Sequence, residues 1–107
     1  MSHFDVRVAP RAQAQLDEVA AWWKANRLAS PKLVLDEFEA AVLRLRHAPL
    51  SGVSYRQSGN RWLRRLLLPR SRYHVYYTIE ETTQMVNIIA FWHATRRRGP
   101  RLQKPAP

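Results

Sequence analysis

Residues 61–93 read RWLRRLLLPRSRYHVYYTIEETTQMVNIIAFWH, and this stretch decides the fold of the chain. Three apolar segments separated by polar turns predict strands over roughly Arg61 to Leu68, Arg72 to Ile79 and Met85 to Trp92. The middle segment alternates between two sets of side chains, as a strand with one buried face does. The apolar set is Tyr73, Val75, Tyr77 and Ile79, and the polar set is Arg72, His74, Tyr76 and Thr78.

The residues before this stretch predict a short strand and two amphipathic helices. Phe4, Val6 and Val8 alternate with polar residues, and Pro10 marks the change to a helix that ends near Asn26. A second helix is predicted to begin at Ser30-Pro31, where a hydroxyl that can cap the helix precedes a proline suited to its first position. The apolar stripes are Ala12, Leu16, Val19, Ala20 and Trp23 in the first helix and Val34, Phe38, Ala41, Val42 and Leu45 in the second. Two adjacent helices with a short joint predict an antiparallel hairpin.

Residues 48–52 end the second helix, because Pro49 and Gly52 continue a helix poorly, and a polar loop is expected from there to Asn60. The whole pattern predicts an α+β fold: a short N-terminal strand, an antiparallel helical hairpin and a three-stranded antiparallel meander. The strands form one sheet, and the helices cover one of its faces. The expected core is Val6, Leu16, Val19, Trp23, Phe38, Val42, Leu45, Val75, Tyr77, Ile79 and Ile88. At 107 residues the chain fits one domain. We expect this domain over residues 1–95 and a basic, Pro-containing tail over residues 96–107.

Positive charge is concentrated in the second half of the chain. From Ala48 onward there are eleven Lys and Arg against only Glu80 and Glu81, so +9 of the formal charge of +10 lies there. Such a field raises the local concentration of anionic partners and speeds their encounter. The expected partner is therefore acidic: nucleic acid, an acidic protein segment, or both. A solvated sheet face with aromatic side chains turned into the core remains the alternative.

The composition also excludes several kinds of chemistry. The chain has no cysteine, which excludes disulfides, thiolate metal sites and cysteine nucleophiles, and which favours a cytoplasmic setting. The four histidines have no metal-ligand spacing, so neither a metal nor another cofactor is expected. No export signal or membrane-spanning segment is expected, because the apolar runs are far shorter than the roughly 18 residues that a span requires.

One candidate site follows from the strand pattern. If apolar residues align across the last hairpin, Arg72, His74, Asn87 and His93 should emerge together on the open face of the sheet. His74 and His93 could then form a proton-transfer pair acting on RNA, with Arg65 or Arg72 stabilising the phosphate charge. The alternative is that both are ordinary strand histidines.

Two further features suggest binding surfaces. Trp22 and Trp23 are adjacent, so both cannot face the same core. One of them is expected to lie exposed where a partner packs, and the alternative is an ordinary helix edge with a half-covered Trp. The run Arg96-Arg97-Arg98 could contact a phosphate backbone or an acidic groove, or it could be a solvated tail.

The chain resembles the RelE/ParE-type toxins of bacterial type II toxin–antitoxin modules over essentially its whole length. The resemblance rests on the order and spacing of several short motifs. These are Ala12-x-x-x-Leu16, Ala21-Trp22-Trp23, Leu45-x-x-x-Pro49-x-x-Gly52, Arg64-Arg65-Leu66, Tyr73-His74-Val75-Tyr76-Tyr77 and His93-x-x-Arg96-Arg97.

The two branches of this family imply different targets. RelE-like members resemble ribosome-dependent mRNA endonucleases that use Lys and Arg on the open sheet face, whereas ParE-like members are associated with poisoning DNA gyrase. This chain has His74 where the nuclease branch has an Arg, Leu67 where it has a Lys, and Ala94 where it often has a Tyr or Arg. The resemblance is therefore closer to ParE, with an mRNA endonuclease as the alternative and a non-catalytic nucleic-acid-binding module as a third reading.

The resemblance implies a cognate acidic antitoxin, a hetero-oligomeric complex with it, and two sets of binding residues. Antitoxins of this kind usually end in a disordered segment that folds on binding. The residues expected to bind the target or phosphate are Arg64, Arg65, Arg72, His74, His93, Arg96 and Arg97. Those expected to bind the antitoxin are Trp22, Arg61, Arg65, Arg72 and Arg96.

Overall fold

The computed structural model describes residues 3–58 and 61–94, with residues 56–58 and 61 described by their backbone alone. The described residues form two α-helices, one short 3₁₀ helix at Pro49–Ser51, and five strands. The strands are β1 (Asp5–Val8), β2 (Val53–Ser58), β3 (Arg61–Leu68), β4 (Tyr73–Glu80) and β5 (Met85–His93), and the helices are α1 (Pro10–Asn26) and α2 (Leu33–His47). The strands form one sheet in the order β1-β5-β4-β3-β2, in which β1 is parallel to β5 and the other pairs are antiparallel. The predicted α+β fold is confirmed.

One strand and the start of two other elements differ from the sequence prediction. The segment expected to be a polar loop contains β2, an edge strand whose exposed Val53 and polar residues do not show the alternation of a buried strand. Helix α2 begins at Leu33 rather than at Ser30-Pro31, and the Ser30 hydroxyl does not cap it. Arg72, predicted to be the first residue of the middle strand, lies instead in the turn before β4. Its φ of 67° is a left-handed conformation, so the extended backbone of β4 begins at Tyr73.

The core lies between the helices and one face of the sheet. Of the eleven residues predicted to form it, six are buried: Leu16, Phe38, Leu45, Val75, Tyr77 and Ile88. The other five, Val6, Val19, Trp23, Val42 and Ile79, are partly buried and pack against this cluster. We call the sheet face on this side the helix face and the opposite one the outer face.

A β-bulge in β5 changes which side chains reach each face. Tyr77 is opposite Ile88, but Tyr76 is opposite Ala90, so Ile89 is an extra residue in β5. Strand β1 pairs with β5 only as far as Ile88. Beyond that point the backbone N–H of Phe91 donates to the Gln15 side-chain oxygen of α1 at 2.8 Å, which satisfies a group that β1 does not reach.

None of the helices among the described residues is long and apolar enough to span a membrane.

Candidate functional site

The structure does not bring the two candidate histidines together, so the expectation that they share the open face is wrong. His74 is opposite Trp92 on the outer face. His93 is opposite Tyr73 on the helix face, and their ring centroids are 4.9 Å apart. The bulge at Ile89 is the cause, because one inserted residue turns every later side chain of the strand to the other face. Asn87, which precedes the bulge, does lie on the outer face as expected, opposite Thr78.

The outer face carries a cluster of four side chains from three strands, Tyr55, Arg65, His74 and Tyr76, which we call the outer-face cluster. The Arg65 guanidinium lies over the Tyr55 ring, 4.6 Å from its centroid. Tyr55 meets Tyr76 edge-on with centroids 5.2 Å apart, and His74 meets Tyr76 at 5.9 Å. Arg65 is directly opposite Tyr76 in the sheet, whereas Tyr55 is the extra residue of a second bulge, in β2.

The sequence analysis singled out Arg65 and His74 but missed the two tyrosines. Tyr76 could have been found from the parity that it shares with His74. Tyr55 lay in the predicted loop, and no sequence signal placed it on the sheet.

The surroundings of His74 favour its neutral form. Partial burial lowers its pKa, and the nearby positive charges of Arg65 and Arg72 lower it further. The cluster therefore presents the Arg65 guanidinium beside the partly exposed His74 and Tyr55 rings, whereas Tyr76 is buried beneath them. Such a surface can attract an anion, and aromatic and guanidinium groups can stack on nucleobases.

Arg64, although predicted to bind the target, lies on the helix face and holds the loop between α2 and β2. Its guanidinium donates to the carbonyl oxygens of Gly52 at 2.6 Å and Leu50 at 3.2 Å, and to the Ser54 hydroxyl at 3.2 Å. The buried Tyr77 hydroxyl supports the same loop: it accepts from the Gly52 N–H and donates to the Pro49 carbonyl. These hydrogen bonds give Arg64 a structural role in holding the loop between α2 and β2.

Trp22, Arg72 and His93, which are distant in the sequence, meet at a groove of about 580 Å³ between the C-terminal end of α1 and the β3–β4 turn. We call it the α1 groove. Trp22 is 48% exposed, whereas the neighbouring Trp23 packs partly against the core. The Arg27 guanidinium lies 5.1 Å from the Trp22 ring centroid and 5.8 Å from that of Trp23.

Glu37 of α2 fixes the turn that forms one wall of this groove. Its two carboxylate oxygens accept hydrogen bonds from the backbone N–H groups of Arg70, at 3.0 Å, and Ser71, at 2.8 Å. Burial raises the pKa of Glu37, but these hydrogen bonds and the Arg70 charge lower it, and the net effect is a lowered pKa. The ionised carboxylate thus ties the turn to α2.

The remaining candidates are placed only in part. Arg61 pairs with Ser58 at the start of β3, and its side chain is outside the described structure. Arg96, Arg97 and the predicted tail are outside the described residues. Within residues 3–58 and 61–94, no three histidine or acidic side chains are grouped so that they could hold a metal ion.

Comparison with known proteins identifies one matching family. A family model described as the ParE toxin of the type II toxin–antitoxin system parDE matches residues 6–98. No curated protein matches the chain.

Solved structures with the same fold include the following three. A chain in the toxin–antitoxin complex RelBE2 from Mycobacterium tuberculosis is 20% identical, with a TM-score of 0.59 over 85% of this chain and 98% of that one. A chain in the archaeal RelE–RelB complex from Pyrococcus horikoshii is 15% identical, with a TM-score of 0.64 over 90% and 99%. A chain in the chromosomal ParDE system from P. aeruginosa is 16% identical, with a TM-score of 0.64 over 87% and 98%.

Proposed function

Because this chain belongs to the ParE toxin family of type II toxin–antitoxin systems, we propose that it inhibits DNA gyrase and that a cognate acidic antitoxin neutralises it. The observation that carries this proposal is the match of the ParE family model to residues 6–98. The antitoxin is expected to be acidic because the chain has a formal charge of +10. Gyrase acts on the chromosome, so the proposal places the toxin in the cytoplasm, in a hetero-oligomer with its antitoxin until it is released.

The arrangement of the histidines argues against RNA cleavage by a pair of histidines. Cleavage by two histidines requires both imidazoles within reach of one phosphate, one to accept a proton and the other to donate one. His74 and His93 lie on opposite faces of the sheet. Among the described residues, a nuclease that uses His74 would therefore have to rely on the outer-face cluster.

An mRNA endonuclease that acts on translating ribosomes is the second candidate, and the outer-face cluster is what favours it. Arg65 could hold a phosphate, and the imidazole of His74, whose pKa is lowered, could accept a proton. If the same surface binds RNA without cleaving it, the chain is a non-catalytic nucleic-acid-binding module.

Two assays with the purified toxin separate these functions. We expect it to inhibit gyrase supercoiling, and we expect primer extension on translated messages to show no new ends. Cleavage within codons, with gyrase unaffected, would instead establish the endonuclease. Binding of RNA without either effect would establish the binding module.

Growth assays then test which residues matter. Arg65→Ala, or deletion of the segment after Thr95, should weaken toxicity more than His74→Gln or His93→Gln. Arg11→Ala is the matched control, because Arg11 is an exposed arginine of α1 outside the outer-face cluster and the α1 groove. If the histidine variants lose more toxicity than Arg65→Ala and translated messages are cleaved within codons, the endonuclease becomes the better proposal.

A further inference from the structure

His3 and His47 lie side by side on the surface, although they are far apart in the sequence. His3 precedes β1, His47 is the last residue of α2, and both side chains are exposed. Their ring centroids are 5.3 Å apart, and their ring planes meet at 76°. Neither histidine belongs to the outer-face cluster or lines the α1 groove, so the proposed function gives this pair no role.

We propose that His3 and His47 together bind one Zn²⁺ ion, with water molecules as its remaining ligands. The sequence analysis expected no metal because the histidines have no local ligand spacing, and it is the fold that brings these two together. This inference is independent of the proposed function, since a toxin that acts on gyrase and one that acts on RNA would carry the same site.

The separation of the two rings matches a tetrahedral metal centre. An imidazole nitrogen binds Zn²⁺ at about 2.0–2.1 Å, and the centroid of the bound ring lies roughly 1.1 Å farther from the ion. Two rings on one tetrahedral ion therefore have centroids about 5.1 Å apart, whereas two neighbouring rings on an octahedral ion have centroids about 4.5 Å apart. The observed 5.3 Å is close to the tetrahedral value, and Zn²⁺ prefers that geometry.

The two histidines are attached to backbone segments that already bind each other. The Phe4 N–H donates to the Arg46 carbonyl oxygen at 2.9 Å, and these two residues are the chain neighbours of His3 and His47. Strand β1 then continues along β5, which fixes its direction. The ion does not have to bring the two segments together, so only the side chains lose freedom when it binds.

The surroundings of the pair select an ion that prefers nitrogen ligands. Among the described residues, no acidic side chain completes a group of three with the two histidines, and Arg44 and Arg46 add positive charge in the last turn of α2. Ca²⁺ and Mg²⁺ depend on oxygen ligands and are therefore disfavoured. Imidazole suits Zn²⁺, and the partial negative charge at the C-terminal end of α2 offsets part of the repulsion.

A site of this kind acts on the attachment of the N-terminal strand. Structural zinc sites have four protein ligands, so a site with two binds more weakly and exchanges its ion. Strand β1 has only four residues and lies at an edge of the sheet. An ion that needs both His3 and His47 binds only when β1 is in place, so it stabilises the folded protein according to its concentration.

The test is a titration of the full-length toxin with ZnCl₂, followed by NMR of the imidazole C–H groups of the four histidines. We expect the His3 and His47 resonances to shift together and to saturate at one ion per chain, whereas those of His74 and His93 stay unchanged. MgCl₂ at the same concentrations should shift none of them. With zinc at about ten times its dissociation constant, the melting temperature should rise by at least about 3 °C.

Two single variants test whether the histidines share the ion. His3→Gln and His47→Gln should each weaken zinc binding at least about tenfold, because a single imidazole is left. In each variant the remaining histidine should no longer respond at the zinc concentration that saturates the unchanged protein. Both side chains are exposed, so both variants should fold, which their melting temperatures without metal would verify. The matched control His74→Gln should bind zinc within about twofold of the unchanged protein.

Three results would overturn the proposal. If His3 responds to zinc equally well in His47→Gln, the two histidines bind separately and share no ion. If His3→Gln abolishes binding while His47→Gln does not, the ion is held by His3 and residues outside α2. If His74→Gln loses as much affinity as the other two variants, zinc binds to histidines in general and the pair is not a site.

Discussion

At the scale of single residues, the pKa of His74 depends on the charged side chains around it and can be measured. Its pKa is lowered by burial, by Arg65 and by Arg72. Arg65→Ala should therefore raise the pKa of His74 toward its ordinary value of 6.5, because one positive charge and part of the covering are removed. The measurement is a pH titration of the His74 ring resonances by NMR, with Arg11→Ala as the control. An unchanged or lower pKa in Arg65→Ala would show that the two side chains do not interact as the structure describes.

The same shift gives the direction of a pH effect on stability. The folded state binds fewer protons at His74 than the unfolded state between its lowered pKa and 6.5, so the free energy of unfolding decreases as the pH falls through that interval. This dependence should be weaker in Arg65→Ala. Denaturant titrations at several pH values would measure it.

Gly52 is a residue whose substitution should be costly although its backbone is extended. A Cβ atom there would lie 2.6 Å from both the Arg65 carbonyl oxygen and the Tyr77 hydroxyl oxygen, closer than atoms can approach. Gly52→Ala should therefore destabilise the protein by about 1–3 kcal/mol, as overpacking does. Val53→Ala is the control: Val53 is 62% exposed, and the change should cost no more than about 0.5 kcal/mol. Equal urea midpoints for the two variants would mean that the loop moves aside without cost.

At the scale of elements, the Glu37 carboxylate joins α2 to the β3–β4 turn and should make stability depend on pH in the acid range. Its pKa is below its ordinary value of 4.5, so the unfolded state binds more protons there, and stability is lost as the pH falls from about 4.5 through the folded-state pKa. Glu37→Gln should remove this dependence and lower stability at neutral pH by about 1–3 kcal/mol, because one turn N–H loses its acceptor and the other keeps only a neutral one. Chemical denaturation of both proteins between pH 3 and 7 would test this. The nearby exposed Glu39→Gln is the control, and an equal response of the two variants would contradict the role given to Glu37.

The strands also show how far a sequence can predict this structure. The alternation in β4 correctly separated Val75 and Tyr77 on the helix face from His74 and Thr78 on the outer face. The expectation of a single buried face is wrong in the middle of the strand, where Tyr76 and Thr78 of the outer face are also buried. In β5 every residue from Ile88 to Trp92 is apolar, so alternation contains no information on where an extra residue is inserted. The bulge at Ile89 was therefore missed, and His93 was assigned to the wrong face. Edge strand β2 was missed for a related reason, since a strand without a buried face needs no apolar pattern.

At the scale of the whole molecule, the fold divides the basic residues between two separate surfaces. Arg65 and His74 belong to the outer-face cluster, whereas Arg27 and Arg70 belong to the α1 groove on the other side of the sheet. Arg72 lines the groove and also acts on the His74 pKa, so it is the one described residue that contributes to both surfaces. The sequence predicted the total charge and its concentration after Ala48, but it could not predict this division, because the division depends on which strand residue faces which side.

The last prediction concerns how fast the toxin meets an acidic antitoxin. A formal charge of +10 should accelerate association with an acidic protein, and the rate should fall as salt screens the exposed charges. Between about 0.05 and 0.5 M salt we expect the association rate constant to fall at least about tenfold, since the Debye length shrinks from above 10 Å to below 8 Å over this range. The dissociation rate should respond much less, because apolar contacts such as that expected for Trp22 hold the complex once it has formed. Stopped-flow mixing with the acidic protein encoded beside the toxin measures both rates, and Trp22→Ala should raise dissociation while leaving the salt dependence of association unchanged. Association that stays constant across the salt series would contradict electrostatic steering, and a salt dependence confined to dissociation would mean that the charges act only in the bound complex.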